Sequence, residues 1–143
     1  MSIWILIVSL ICLYFSIISM KNWFKSNNKL QEEFIKSYNK IKEESSEEVY
    51  NWTIILFSIF YTGLWINFYV VAFNAFNSEW LVLSLVAVFY LLQSIYNFFK
   101  GLIMFAKKEV KSSVVNKVLN TIELLYVVYF IYYYVFHWSV VLR

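Results

Sequence analysis

Four apolar runs, each close to twenty residues long, constrain this chain more than any other feature: residues 3–20, about 52–73, 80–99 with a weaker continuation to 106, and about 122–142. At 1.5 Å of rise per residue, about twenty helical residues cross a hydrocarbon core of about 30 Å. Only helices or closed barrels satisfy their own backbone there. Aromatic residues stand near several run ends (Trp4, Trp23, Trp52, Trp80, Trp138), where an interfacial belt is expected. The expected fold is all-α: a polytopic integral membrane protein with four transmembrane helices and one amphipathic cytoplasmic helix between spans one and two. Residues 1–143 form a single membrane domain. Composition agrees, with 62% apolar and 15% charged residues and a mean hydropathy of +0.64. A soluble domain carries about a quarter charged residues.

The chain has no proline and two glycines, Gly63 and Gly101, so the helices should be long and unbroken. The first run lacks a basic flank, and no small residue precedes Cys12 in Ser9-Leu10-Ile11-Cys12. An uncleaved span is therefore expected rather than a signal peptide. The wealth of Lys, Asn, Ile, Tyr and Phe beside a single arginine points to AT-rich coding and a bacterial source.

Orientation follows from lysine placement. Residues 21–50 carry six lysines and residues 100–117 carry five, whereas the other side has only Arg143. Acidic residues count little in this rule. Both lysine-rich loops should be cytoplasmic and both termini extracytoplasmic. The sequon Asn51-Trp52-Thr53 then lies at the cytoplasmic edge, unused.

The loop 21–50 carries Leu30, Phe34, Tyr38 and Ile41 at helical spacing, the apolar stripe of a helix that lies under the bundle or docks a partner. Asn27 or Asn28 is a candidate cap, and Ser45-Ser46-Glu47-Glu48 reads as a capping box opening the second span. Glu32–Lys36 and Lys40–Glu44 are favourable i,i+4 pairs. Ser112 or Ser113 is a candidate cap for the fourth span, and Ser78 with Glu79 for the third. The loop's glutamates match its lysines one for one, so no nucleic-acid partner is expected.

Within the spans the polar residues fall into stripes. Ser9, Cys12, Ser16 and Ser19 form a small-residue packing face on span one, of the kind that lets helix backbones approach closely. Span two carries Ser58, Thr62, Trp65 and Tyr69 on one face, with Gly63 and Asn67 on an adjacent one, a spacing that also suits a close crossing. Span three carries Tyr90, Gln93, Asn97 and Lys100. Span four carries Asn116, Asn120, Glu123, Tyr126, Phe130, Tyr133 and His137. The candidate intramembrane polar stripe is Ser58, Thr62, Asn67, Gln93, Asn97, Tyr126 and Tyr133. Its groups are expected mainly to hold helices together by hydrogen bonds. Counting inward from the span ends puts Lys100 and Glu123 at the inner interface, where an ion pair is expected. His137 falls near the outer boundary.

No catalytic set can be assembled from one histidine, one cysteine and no aspartate, and no phosphate loop or metal-ligand cluster is present. No enzyme activity and no cofactor are expected. A four-span outline alone carries no function. Two classes of function fit. The first is a non-catalytic subunit, regulator or immunity-type protein acting through helix–helix contacts in a membrane complex. The second is a homo-oligomeric channel or pore lined by the polar faces of spans three and four. The partners implied are membrane lipid and either further copies or another membrane protein.

Overall fold

The computed structural model describes residues 3–77 and 80–141, residues 138–141 by backbone alone. The element order is α1 (Ile3–Lys21), a single 3-10 turn (Asn22–Phe24), α2 (Asn27–Glu44), α3 (Glu47–Phe76), α4 (Leu81–Ala106) and α5 (Val114–Val141). No strand occurs among the described residues. Four helices, α1, α3, α4 and α5, are long and apolar enough to cross a membrane. Their outward-facing residues are large and apolar, among them Leu10, Leu56, Phe60, Val82, Leu85, Phe89 and Leu125.

The helices run past the apolar windows. α3 opens at Glu47 rather than near 52, and α5 at Val114 rather than near 122. The windows marked where the sequence turns apolar. A helix continues through Asn116, Lys117 and Asn120 because nothing there breaks it. At about 45 Å and 42 Å, α3 and α5 exceed a 30 Å core.

The caps differ from expectation in detail. Ser26, rather than Asn27 or Asn28, caps α2 by accepting from the Lys29 amide. Ser46 caps α3 by accepting from the Val49 amide, so the third helical residue is valine and no reciprocal capping box closes. Ser113 caps α5 through the Asn116 amide. Ser78, Glu79 and Arg143 lie outside the described residues. Neither expected i,i+4 pair on α2 forms. Glu33 instead takes Lys25 at 2.7 Å, and Glu47 draws Lys42 and Lys108, each at 3.9 Å.

α3 and α4 pack as an antiparallel hairpin, and α1 packs against both α5 and α3. The link between α4 and α5 is made by tyrosines: the Tyr90 hydroxyl donates to the Leu119 carbonyl at 2.8 Å, and the Tyr126 hydroxyl to the Leu83 carbonyl at 2.9 Å. The four long helices thus close a ring in the order α1, α3, α4, α5. Its core is aromatic. Phe68, Tyr69 and Phe76 of α3 meet Tyr126 and Phe130 of α5 with ring centroids 5.1–6.4 Å apart, mostly edge to face. Tyr69 also stacks on Tyr90 of α4 at 5.8 Å. Such ring pairs are each worth about 0.5–1.5 kcal/mol beyond buried area. The small face of α1 is turned inward, with Ser9, Cys12 and Ser16 buried and Ser19 half-buried.

α2 folds onto its own bundle. Phe34 packs edge-on to Phe105 of α4, and the buried Tyr38 packs edge-on to Tyr50 of α3. The Tyr38 hydroxyl donates to Glu47 Oε1 at 2.9 Å. Leu30 is half-buried, whereas Ile41 is exposed.

Two amides of α2 also hold the α4–α5 connection. Gln31 Nε2 donates to the Lys108 carbonyl and Gln31 Oε1 accepts from the Val110 amide, both at 2.7 Å. Asn27 Oδ1 accepts from the Ser112 amide at 3.0 Å. One helical turn between Asn27 and Gln31 therefore serves residues 108, 110 and 112, alternate positions of the connection. Both lysine-rich loops accordingly sit at the same end of the bundle.

Lys108 has φ 54°, a left-handed conformation where glycine usually ends a helix. The Glu109 and Lys108 amides donate back to Met104 and Phe105, closing the helix end as a Schellman pair. A lysine stands here because its ammonium lies 4.6 Å from the Tyr38 ring centroid, beside Glu47.

Candidate functional site

Among the described residues, the polar stripes of α3, α4 and α5 converge on a half-open cavity of about 280 Å³ between the long helices. Its end nearest the lysine-rich loops is bounded by Ser19 near the close of α1, Gly101 near the close of α4, and Asn120 in the second turn of α5. Ser58 and Thr62 of α3 and Ser94 and Asn97 of α4 supply its polar walls. Phe57, Tyr61, Trp65 and Phe98 supply its aromatic ones. Glu123 reaches it from α5.

Glu123 is engaged inside the bundle rather than with Lys100. Its carboxylate accepts a hydrogen bond from the Tyr69 hydroxyl, and Tyr69 is fully buried in the aromatic core. The expected Lys100–Glu123 ion pair is not formed. The Lys100 ammonium instead lies 6.0 Å from the ring centroid of Tyr96, its neighbour one turn back on α4. The expected pair takes α5 to end with the apolar run and the acidic side chain to seek Lys100. Instead α5 continues well beyond Glu123 toward the lysine-rich loops, and a tyrosine from α3 meets the carboxylate inside the bundle.

The remaining stripe residues divide. Ser58, Thr62 and Asn97 line the cavity. Gln93 is half-buried with Oε1 lacking any hydrogen-bond partner, as does the buried Ser16 Oγ. Tyr126 is buried and bonded across to α4. Tyr133 packs on Phe76 with centroids 4.9 Å apart, and on His137 at 4.0 Å. Asn67 stands apart: it is exposed on the outer surface of α3, one turn from the equally exposed Gly63. A methyl group added at Gly63 would meet nothing within 4 Å. The Gly63–Asn67 spacing is therefore not used for a crossing inside this chain.

One cavity serine satisfies itself locally, as does a buried serine outside the cavity. Ser94 donates to the Tyr90 carbonyl at 2.9 Å, and on α1 Ser9 donates to the Ile5 carbonyl at 2.7 Å. Such back-bonding leaves the hydroxyl lone pairs free but makes no interhelical link. Cys12 is buried on the α1 face and is a free thiol.

The sequence showed the stripes, including Trp65, Tyr69 and Asn120, but not that three of them face one another. The pairing of Tyr69 with Glu123 had no signal in spacing, since the two lie on helices that are not consecutive. No group of three or more His, Cys, Asp or Glu residues is placed to hold a metal ion among the described residues. No protein-family model matches the chain, and comparison with curated proteins and with solved structures finds no match either.

Proposed function

We propose that this chain is a non-catalytic, multi-pass membrane protein that works through helix–helix contact with another membrane protein or a second copy, using the Gly63–Asn67 face of α3. The carrying observation is that face itself. Asn67 is exposed among large apolar side chains and makes no hydrogen bond among the described residues, and the neighbouring turn carries a bare glycine. An unsatisfied amide in hydrocarbon costs several kcal/mol. A glycine beside it lets a partner helix approach closely enough to accept that amide's hydrogen bonds. The apolar outer surface of the four long helices supports the membrane setting. The joining of both lysine-rich loops at one end supports a cytoplasmic position for that end, with the termini on the opposite side.

The loop helix lends the docking role less support, because Phe34 and Tyr38 are already spent on the chain's own bundle. The alternative, a homo-oligomeric pore, draws less from the same geometry. Tyr126 faces the interior of the single chain, so it is not free to line a lumen between copies.

The test is native mass spectrometry of protein extracted from its own membrane in mild detergent. The reading expects a defined complex for the unaltered chain and a single chain for Gly63→Leu with Asn67→Leu. The same complex in both overturns it. Alkaline phosphatase fused after residue 143 should be active and after residue 111 inactive; the reverse pattern overturns the orientation.

A further inference from the structure

We infer that the cavity inside the bundle is a binding site for a small primary alkylammonium ion, held by the Glu123 carboxylate. The inference is independent of the contact face on α3. The chemistry of the walls selects the ligand class. Glu123 lines the cavity and uses one oxygen to accept from Tyr69; no other hydrogen bond to that carboxylate forms among the described residues. Its remaining lone pairs are thus available to a donor. An anion would meet this charge as a repulsion. A divalent ion prefers several carboxylates, and the cavity offers one.

The neutral groups favour a donor with hydrogen-bonding protons. Asn97 of α4 and Thr62 of α3 both line the cavity and supply an amide and a hydroxyl. Three N–H protons of a primary ammonium match one carboxylate and two neutral oxygens. The aromatic walls decide between an alkali ion and an organic one. Tyr61 and Phe98 offer ring surface to a cation and apolar surface to an alkyl body, and a bare metal ion has no such body. The volume, about 280 Å³, falls at the small end of ligand sites and suits an amine of a few carbons. Tyr69 acts as a positioning residue: its hydroxyl fixes the carboxylate without touching the ligand.

The probe is ethylammonium chloride, titrated by calorimetry into the full chain in lipid nanodiscs, with sodium chloride at equal ionic strength as the comparison. The expected result is saturable binding of ethylammonium at millimolar concentration or below, no saturation by sodium, and at least a tenfold loss of affinity in Glu123→Gln. Absence of saturation in the unaltered chain, equal saturation by sodium, or an unchanged affinity in Glu123→Gln overturns it. Should Glu123→Gln fail to fold, Asn97→Leu and Thr62→Val are titrated in its place. A weakening of at least threefold in either supports the site, and unchanged affinity in both overturns it.

Discussion

Toward the α3–α4 turn, three buried tyrosines of the central cluster each find a partner on another helix. Tyr69 reaches Glu123, Tyr90 reaches Leu119 and Tyr126 reaches Leu83. Toward the lysine-rich loops the polar groups are serine, threonine and asparagine, and they surround a space instead of one another. The difference is one of reach and of demand. A tyrosine carries one hydroxyl at the end of a long rigid ring, so a single carbonyl across the bundle satisfies it while the ring fills volume. A serine is short and turns back on its own helix, and an asparagine has more donors and acceptors than a neighbouring helix supplies. Polar residues therefore make glue in one half and a lined cavity in the other.

Substitutions in the two halves should separate widely. Phe68→Ala, at a side chain 1% exposed among four ring partners, should cost about 3 kcal/mol or more in reversible unfolding in mixed micelles. A cost under about 1 kcal/mol would mean that the aromatic half is not tightly packed. Tyr69→Phe keeps the ring but leaves the Glu123 carboxylate without its donor, and should cost about 1–3 kcal/mol in the same assay. Tyr126→Phe removes one bond to a helix carbonyl that already serves its own helix. Its expected cost is about 0.6 kcal/mol, the usual scale for an interhelical bond in a membrane bundle. On the cavity side, Thr62→Val should change stability by no more than about 0.5 kcal/mol, since no neighbouring helix depends on that hydroxyl. If Thr62→Val costs as much as Tyr69→Phe, the distinction between glue and lining fails.

The smallest effect lies outside the ring. The Lys25 ammonium, hydrogen-bonded to Glu33 at 2.7 Å, holds that exposed carboxyl below its usual range. A depressed carboxyl pKa gives a contribution that is present above the ordinary glutamate value and lost as pH falls through the depressed one. Hydrogen exchange in the first turns of α2 should therefore quicken slightly, after correction for intrinsic rates, as pH falls from 5 to 3. The same change in a Glu33→Gln variant would assign it to another group.

The outline of the fold was legible because four apolar runs in a chain without proline leave few alternatives, and the long helices follow them. The α1 packing face was legible too, since Ser9, Cys12 and Ser16 are the small residues on an otherwise bulky helix and are buried. Helix ends were not, because hydropathy marks where residues turn apolar, whereas Ser46 and Ser113 decide where helices begin. Asn27 was expected as a cap and instead clamps Ser112, a contact between segments far apart in the chain that local spacing cannot register. The cavity was half legible. The stripes were visible, but which stripes face inward depends on helix rotation: Asn67, on a face adjacent to that of Ser58 and Thr62, lies on the outside.

The contact face on α3 is tested most directly by placing a photoreactive amino acid at position 67 in intact membranes, with position 89 on the exposed face of α4 as the comparison. The account predicts one discrete protein adduct from position 67 that is absent from position 89 and lost when Gly63→Leu is added. Equal labelling from both positions, or none from position 67, would contradict it.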